Sequence, residues 1–193
     1  MPVLVDAGQW NKRKYHSYGN TQYYKNKDAV ESVIRYISRT RYNDPRRNEL
    51  IGVGGAGING FASVEDIIQQ FLDVQNIYGI KERQGRRVVH LIYSFSDQEF
   101  SDLMHQNFEL INLIARDISS FLFQKGFQVF YGIHYDPEKH AHIHFAINSI
   151  NYLDGKKYHS GAGDFKAMKE VFDQIVFYRT QEQKGVGTVC IMQ

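Results

Sequence analysis

Cysteine is almost absent from this chain of 193 residues, since Cys190 is its only one. One thiol cannot build a disulfide framework, and it cannot supply the several sulfur ligands of a cysteine-rich zinc site. The sequence therefore argues against the disulfide-stabilised secreted class and is typical of a protein in the reducing cytoplasm.

Long apolar runs are missing as well. No stretch approaches the roughly 18 consecutive apolar residues of a transmembrane helix, and the first residues, MPVLVDAGQWNKRK, contain no apolar core of a signal peptide. We therefore expect a soluble, cytoplasmic protein without a membrane segment. The chain does contain 42% hydrophobic and 14% aromatic residues, which is typical of a globular fold. We expect one domain over residues 1–193, with a weakly patterned tail after about residue 180.

A net charge of +2 conceals a strongly basic segment near the N-terminus. Between Trp10 and Arg47, ten basic and three acidic residues give a charge of +7, which leaves −5 for the rest of the chain. The basic residues of this segment are Lys12, Arg13, Lys14, Lys25, Lys27, Arg35, Arg39, Arg41, Arg46 and Arg47. Tyrosines are interleaved with them, and bases stack on aromatic rings while phosphates pair with Arg and Lys. The segment therefore favours a nucleic-acid partner over a merely solvated basic face.

The spacing of apolar residues predicts an α+β fold, in which helices pack on the faces of a mainly antiparallel central sheet. The predicted helices cover residues 27–40, 63–78, 97–124 and 165–178, and the predicted strands cover 87–95, 127–135 and 141–151. An imperfect capping box, Ser63 with Asp66, begins the second helix, and Gly79 ends it.

The segment from Tyr42 to Gly60, YNDPRRNELIGVGGAGING, is predicted to be a flexible loop. It contains Pro45 and five glycines, residues that commonly interrupt regular structure. It lacks the Lys-Ser/Thr pair of a nucleotide-binding P-loop, so we do not expect it to bind a nucleotide.

Four histidines lie between residues 134 and 144. In HAHIHFAIN, strand alternation puts His140, His142 and His144 on one face with Asn148, while the residues between them face the core. His134, on the preceding strand, can join that face across the predicted turn. Isolated strand histidines are usually packed or solvated, but several imidazoles on one rigid hairpin indicate a divalent-metal site. Without cysteine ligands, a catalytic site with open positions is favoured over a closed structural one.

The order of these residues resembles a known signature. His134-x-Asp136, followed by His142-Ile143-His144 and Asn148, is similar to the H-x-D…H-x-H-x-x-x-N signature of conjugative relaxases. These are HUH endonucleases, and the resemblance is to their P-type mobilisation group. The segments VVHLIYSF and NSINYLDGKKYHS also resemble the sequence around this motif, and the likeness covers roughly residues 27–180. The resemblance implies the HUH-endonuclease-like fold in its relaxase permutation and a metal-dependent nuclease that nicks single-stranded DNA.

The resemblance further implies the roles of the site residues. His134, His142 and His144 are the expected ligands of a divalent metal ion, Mn²⁺ or Mg²⁺. The spacing from His134 to His142 is one residue longer than the family pattern, and the extra His140 is a candidate replacement ligand. Asp136 is expected to orient His134 and to relay a proton.

The nucleophile is harder to assign, because the chain has thirteen tyrosines. Relaxases carry theirs before the histidine motif, whereas rolling-circle replication initiators and HUH transposases carry it after. Tyr36, in VESVIRYISRT, resembles the relaxase tyrosine helix, and it lies about 110° from the centre of that helix's apolar stripe, beside basic residues. Tyr36 is therefore predicted to attack the scissile phosphate and form a 5′-phosphotyrosyl adduct. The pair Tyr23–Tyr24 and Tyr178, where an initiator would carry its nucleophile, are the alternatives.

A relaxase implies a bacterial, cytoplasmic enzyme that acts at an origin of transfer, with accessory relaxosome proteins and a secretion coupling protein as partners. His90 and Ser94 are expected either near the site or in the core. The predicted DNA contacts are Lys12, Arg13, Lys14, Arg35, Arg39, Arg41, Arg46, Arg47, Lys156 and Lys157. A non-catalytic DNA-binding accessory protein and a metal-dependent hydrolase of small substrates stay open as other functions.

Overall fold

The structure, a computed structural model, describes residues 3–7, 28–40, 44–79, 85–106, 109–135, 141–159 and 161–183. Within these ranges, a short 3₁₀ turn at Arg47–Glu49 accompanies five strands and five helices. The strands are β1 (Val3–Asp6), β2 (Leu50–Ala56), β3 (Val88–Ser94), β4 (Val129–His134) and β5 (His142–Asn148). The helices are α1 (Asp28–Ile37), α2 (Val64–Ile77), α3 (Asp97–Gln106), α4 (Glu109–Gln124) and α5 (Ala162–Gln183).

The strands form one antiparallel sheet in the order β1-β3-β5-β4-β2. β5 lies at the centre and pairs with β3 on one side and β4 on the other. Because the sheet buries apolar side chains on both faces, its central strands are almost continuously buried.

Helices cover the two faces of the sheet unequally. On one face, α3, α4 and α5 pack over the larger apolar cluster, in which Ile143, Phe145 and Phe172 are fully buried. On the other face, α1 and α2 pack over a smaller cluster that includes Ile37 and Phe71. The α+β class predicted from the sequence is therefore correct. No helix in the described ranges is long and apolar enough to cross a membrane.

Most of the predicted elements are present with shifted ends. Ser63 caps α2 as predicted, since the amide of Asp66 donates to Ser63 Oγ (3.1 Å), although the Asp66 carboxylate accepts from the Ser63 hydroxyl and not from its amide as in a full capping box. α2 ends at Ile77, two residues before Gly79, which adopts a positive φ of 63°. The predicted helix 97–124 corresponds to two helices on either side of residues 107–108, which lie outside the described residues. The last helix extends further at both ends than predicted.

The prediction of a flexible loop over residues 42–60 is wrong, because Leu50–Ala56 form the edge strand β2. Gly54 lies opposite Tyr131 in the pairing of β2 with β4, and the Tyr131 side chain occupies the space that a Cβ at Gly54 would need. An aromatic ring that covers a glycine stabilises an otherwise weak strand position. The local sequence showed only the glycines, and the partner strand lies far along the chain.

Gly132 allows the end of α1 to contact the sheet. It lies on β4 opposite His144, and a Cβ at this position would be 2.7 Å from Ile37 Cγ2 and 2.8 Å from the Ile37 carbonyl oxygen. Any side chain would therefore push the last turn of α1 away from the sheet.

The substitution Gly132→Ala is expected to lower the free energy of unfolding by about 1–3 kcal/mol, the usual penalty for overpacking. Urea unfolding followed by circular dichroism measures the change. Gly163→Ala in α5 is the matched control, because an added Cβ there meets nothing within 4 Å and alanine favours the helix. Equal effects of the two substitutions would contradict the close approach of α1.

Candidate functional site

Three histidines converge on the face of the sheet that α1 covers. His134 lies at the end of β4 directly opposite His142 on β5, and His144 follows two residues later on the same face. The ring centroids of His134 and His144 are 4.4 Å apart, and those of His142 and His144 are 4.7 Å apart. One ligand nitrogen from each of the three lies within 4.8 Å of the others. The convergence predicted from strand alternation is thus present.

His134 is oriented by the backbone of α1. Its Nε2 lies 2.7 Å from the carbonyl oxygen of Ile37. A carbonyl only accepts hydrogen bonds, so Nε2 carries the proton and donates it. In the neutral ring the lone pair is then on Nδ1, which is buried and has no hydrogen-bond partner. This nitrogen is available as a ligand atom.

His144 is oriented by a fourth histidine. Its Nδ1 lies 2.9 Å from Nε2 of His90, whereas its own Nε2 is buried without a partner. If Nε2 is the ligand atom, the proton of neutral His144 is on Nδ1 and is donated to His90. From the sequence, His90 is expected either near the site or in the core, and in the structure it lies in the site, against His144 and Tyr36. The alternation that grouped His142 with His144 also puts His90 on this face of β3.

Burial keeps these histidines in the form that binds metal. It lowers the pKa of His134 to about 3, and it lowers the pKa of His144 well below the ordinary value of 6.5. The hydrogen bond from His134 to Ile37 partly opposes this shift, whereas the charge of Arg39 reinforces it for both rings. Metal binding needs the neutral imidazole. Two buried nitrogens without partners, beside the half-buried His142, therefore fit a divalent cation.

Tyr36 lies against this cluster. It occupies the last turn of α1, and its side chain is half-buried. The centroid of its ring is 5.2 Å from the centroid of the His144 ring and 6.1 Å from the centroid of the His134 ring. Two cations flank the ring, with the guanidinium carbon of Arg39 4.9 Å and that of Arg46 5.5 Å from its centroid. The arrangement brings a phenol, two guanidinium groups and three imidazoles into one small region.

Arg39 has an unusual backbone. It follows α1 with φ of 53°, and among the described residues it is the one non-glycine residue with positive φ. The amide of Arg39 donates to Tyr36 O and the amide of Thr40 donates to Arg35 O, which is the Schellman pattern that ends helices. Glycine normally occupies this position, because the left-handed conformation costs other residues about 1–2 kcal/mol.

Three further arginines that were predicted to contact DNA differ from one another in their ion pairs and exposure. Arg35 is paired with Glu31 and Glu65, so it joins α1 to α2. Arg46 is paired with Asp44 and is partly exposed. Arg47, on the 3₁₀ turn, is exposed.

Lys156 and Lys157 are far from the histidines. Lys157 pairs with Ile150, six residues beyond His144, which corresponds to roughly 20 Å of extended chain. The structure does not bring these two lysines into the site. Lys12, Arg13, Lys14, Arg41, Asp136, His140 and the alternative nucleophiles Tyr23 and Tyr24 lie outside the described residues.

Asn148 and Tyr178, which the sequence patterns also singled out, do not contribute free groups to the histidine site. Asn148 is fully buried, donates to Phe71 O (3.0 Å) and to Gln128 Oε1 (2.9 Å), and accepts from Gln75 Nε2 (3.0 Å). It therefore joins β5 to α2 and leaves no donor for a substrate. Tyr178 lies on α5, which packs on the opposite face of the sheet from the histidines.

Comparison with known proteins gives one family match. The family described as the relaxase MobA/VirD2-like nuclease domain matches residues 36–177, well over half of the chain. No curated protein matches.

The solved structures to which the chain is similar include two relevant ones. One is the conjugative relaxase TrwC in complex with oriT DNA, in a metal-bound form, with 12% identity, a TM-score of 0.52, and coverage of 96% of this chain and 69% of that one. The other comes from a study of the molecular basis of vancomycin resistance transfer in Staphylococcus aureus, with 10% identity, a TM-score of 0.48, and coverage of 85% and 90%. The likeness to TrwC concerns the fold alone.

The stability of the metal-free protein is expected to fall as the pH falls from about 6.5 towards 3. In this window the unfolded chain binds protons at these histidines that the buried rings do not bind. His134 therefore lowers the free energy of unfolding by up to about 1.4 kcal/mol per pH unit, and His144, whose pKa is also lowered by burial, acts in the same direction. Urea unfolding at several pH values measures the slope. His134→Gln should flatten it, whereas His159→Gln, at an exposed position, should keep it. An unchanged slope in His134→Gln would contradict the buried neutral form.

His90→Phe is expected to weaken Mn²⁺ binding about 10- to 100-fold, because His144 loses the acceptor that orients its ring. Isothermal titration calorimetry on the metal-free protein measures the affinity. His90→Asn offers an acceptor oxygen and should recover part of the loss. Equal affinities for wild type and His90→Phe would show that the hydrogen bond does not support the ligand.

Proposed function

Since the chain belongs to the MobA/VirD2-like relaxase nuclease family, we propose that it nicks single-stranded DNA at an origin of transfer and that Tyr36 is the nucleophile. The observation that carries this proposal is the position of the Tyr36 ring, 5.2 Å from the centroid of His144 and flanked by two guanidinium groups. The function served is conjugative transfer or mobilisation of the DNA.

The reaction is a transfer of a phosphodiester from one oxygen to another. The phenol oxygen of Tyr36 attacks phosphorus, the bond from phosphorus to the 3′ oxygen breaks, and the leaving strand takes up a proton as its 3′-OH. The 5′ end stays on the protein as a phosphotyrosine. Because one phosphodiester replaces another, the reverse reaction can rejoin a strand. The positive charge of Arg39 and Arg46 stabilises negative charge that develops on the phenol oxygen and on the phosphate.

His134, His142 and His144 would hold the divalent cation, through Nδ1 of His134 and Nε2 of His144. When bound, the ion supplies positive charge for the oxygens of the scissile phosphate. Three imidazole ligands bind Mn²⁺ more tightly than Mg²⁺, so Mn²⁺ is the better candidate in vitro. Asp136 is proposed as the residue that orients His134 and relays a proton, and His140 as a reserve ligand.

Single-stranded DNA is the proposed substrate on two grounds. The structurally similar relaxase TrwC was solved with oriT DNA, and this chain has a charge of +7 between Trp10 and Arg47. Arg39 and Arg46 lie beside the Tyr36 ring. The residues proposed to contact the DNA backbone are Lys12, Arg13, Lys14, Arg35, Arg41 and Arg47. A polyanion held mainly by such charges should bind much more weakly as salt increases. Relaxosome accessory proteins and a secretion coupling protein are the proposed partners in a bacterial cytoplasm.

The rival function is a rolling-circle replication initiator or transposase with Tyr178 as its nucleophile. Tyr178 belongs to the helix that covers the other face of the sheet. The sheet therefore separates Tyr178 from the histidines, and this separation favours Tyr36.

Tyr36→Phe is expected to abolish nicking and the covalent adduct, because the attacking oxygen is removed while the ring stays. The purified protein is incubated with Mn²⁺ and single-stranded oligonucleotides tiled across the DNA beside its gene, and adducts are detected on a denaturing gel. Mass spectrometry of the digested adduct then identifies the modified tyrosine. Tyr178→Phe should retain the adduct, and an adduct on Tyr178 would support the rival. Cleavage without any adduct would contradict both.

A further inference from the structure

Arg39 differs from the other cations beside Tyr36 in how deeply it is buried. Its side chain is only 3% exposed, whereas that of Arg46 is 42% exposed and that of Arg35 is 29% exposed. A buried guanidinium normally has each of its nitrogens paired, because an unpaired buried N–H group destabilises the fold. Arg39 departs from this rule.

One guanidinium nitrogen of Arg39 has a hydrogen-bond partner, and the other two have none. Nη2 donates to Glu49 Oε2 at 2.5 Å, which fixes the plane of the guanidinium. Nε and Nη1 are buried and have no hydrogen-bond partner. These two nitrogens carry three N–H groups. Arg46, by contrast, uses Nε and Nη2 on Asp44, and Arg35 uses Nε and Nη2 on its two glutamates.

The unpaired donors belong to a group that lies at the reacting phenol. The guanidinium carbon is 4.9 Å from the centroid of the Tyr36 ring. Its charge also acts on His134 and His144, where it is one of the influences that disfavour the protonated rings. Arg39 therefore lies beside the proposed nucleophile, and it is close enough to His134 and His144 for its charge to act on both rings.

The backbone conformation at Arg39 favours glycine, which indicates that the arginine side chain has a role that glycine could not fill. The residue occupies the glycine position of a Schellman motif at φ 53°. Glycine would relieve the strain, but it would remove the guanidinium. Strained residues held firmly by their surroundings are concentrated at functional sites.

We propose that Arg39 is a catalytic residue, one of whose unpaired donors binds a non-bridging oxygen of the scissile phosphodiester and stabilises the charge that develops there as Tyr36 attacks. This inference rests on the proposed function and deepens it, because it distinguishes Arg39 from residues that only contact the DNA backbone. The acceptor is an anionic oxygen. Glu49 already supplies one carboxylate for charge balance, and a phosphodiester oxygen can accept a charge-assisted hydrogen bond from one of the two remaining nitrogens.

The test uses Arg39→Gly, because glycine suits the backbone at this position. Because glycine also leaves Glu49 without its partner, the unfolding temperature is measured first, and the rates are compared at a temperature at which both proteins are folded. Its single-turnover nicking rate at saturating DNA should fall about 100- to 1,000-fold, the usual loss for one donor to a transition-state oxygen. The dissociation constant for DNA, measured with Tyr36→Phe in the background to prevent cleavage, should change by less than about tenfold. Added guanidinium chloride at millimolar concentration should recover part of the rate.

Three outcomes would overturn the role of Arg39. They are a nicking rate within threefold of wild type, a loss confined to DNA affinity, and an equal loss in Lys166→Ala, an exposed lysine on α5 that serves as the control. Arg39→Lys keeps the charge but lacks the planar fork, so it should recover little of the rate.

A second measurement separates this proposal from the proposed function. If wild type forms no adduct, the function fails, and the anion site is then tested without catalysis. Dimethyl phosphate is titrated into the metal-free protein, and the Nε–H signal of Arg39 is followed by NMR. A saturable shift that is absent in the Arg39→Lys spectrum supports the anion site. A signal that does not move rejects it.

Discussion

The hydrogen bond from His134 Nε2 to the carbonyl oxygen of Ile37, at 2.7 Å, is the contact on which the candidate site depends. It joins the end of α1 to β4, and thereby joins the helix that carries Tyr36 to the strands that carry the histidines. It also fixes the proton of His134 on Nε2, which leaves the Nδ1 lone pair for a ligand. One interaction thus sets both the separation of the two halves of the site and the chemical form of one ligand.

This bond can form because the sheet leaves room for the helix. Gly132, opposite His144, removes the side chain that would otherwise meet the last turn of α1. The apolar contacts of α1 with α2 and the sheet then hold the helix in place. The buried Asn148 joins β5 to α2 through two hydrogen bonds, with Phe71 and Gln75, and makes a third to Gln128 just before β4. The asparagine of the signature is therefore part of the framework beneath the site, which explains its presence in a motif otherwise composed of reactive groups.

The sequence predicted those parts of the site that depend on the periodicity of a single helix or strand. It predicted less well the parts that depend on contacts between residues distant in sequence. Alternation on β5 and a hairpin to β4 were sufficient to group His134, His142 and His144, and the helical wheel set Tyr36 apart from the core of α1. The edge strand β2 was missed, because its glycines are stabilised by a partner that is distant in sequence. The bond between His90 and His144 and the left-handed backbone of Arg39 depend on register and on a helix ending, which residue patterns do not specify.

The location of the site at the end of α1 explains why its arginines are needed. The C-terminus of a helix carries a partial negative charge, so by itself it repels a phosphate. Many phosphate sites use helix N-termini for this reason. Here one terminal carbonyl is occupied by His134, and the guanidinium groups of Arg39 and Arg46 lie beside the last turn of the helix. Their positive charges oppose the negative end of the helix dipole beside Tyr36. The proposed role of Arg39 thus gives a function to an arginine at a helix end where glycine would suit the backbone better.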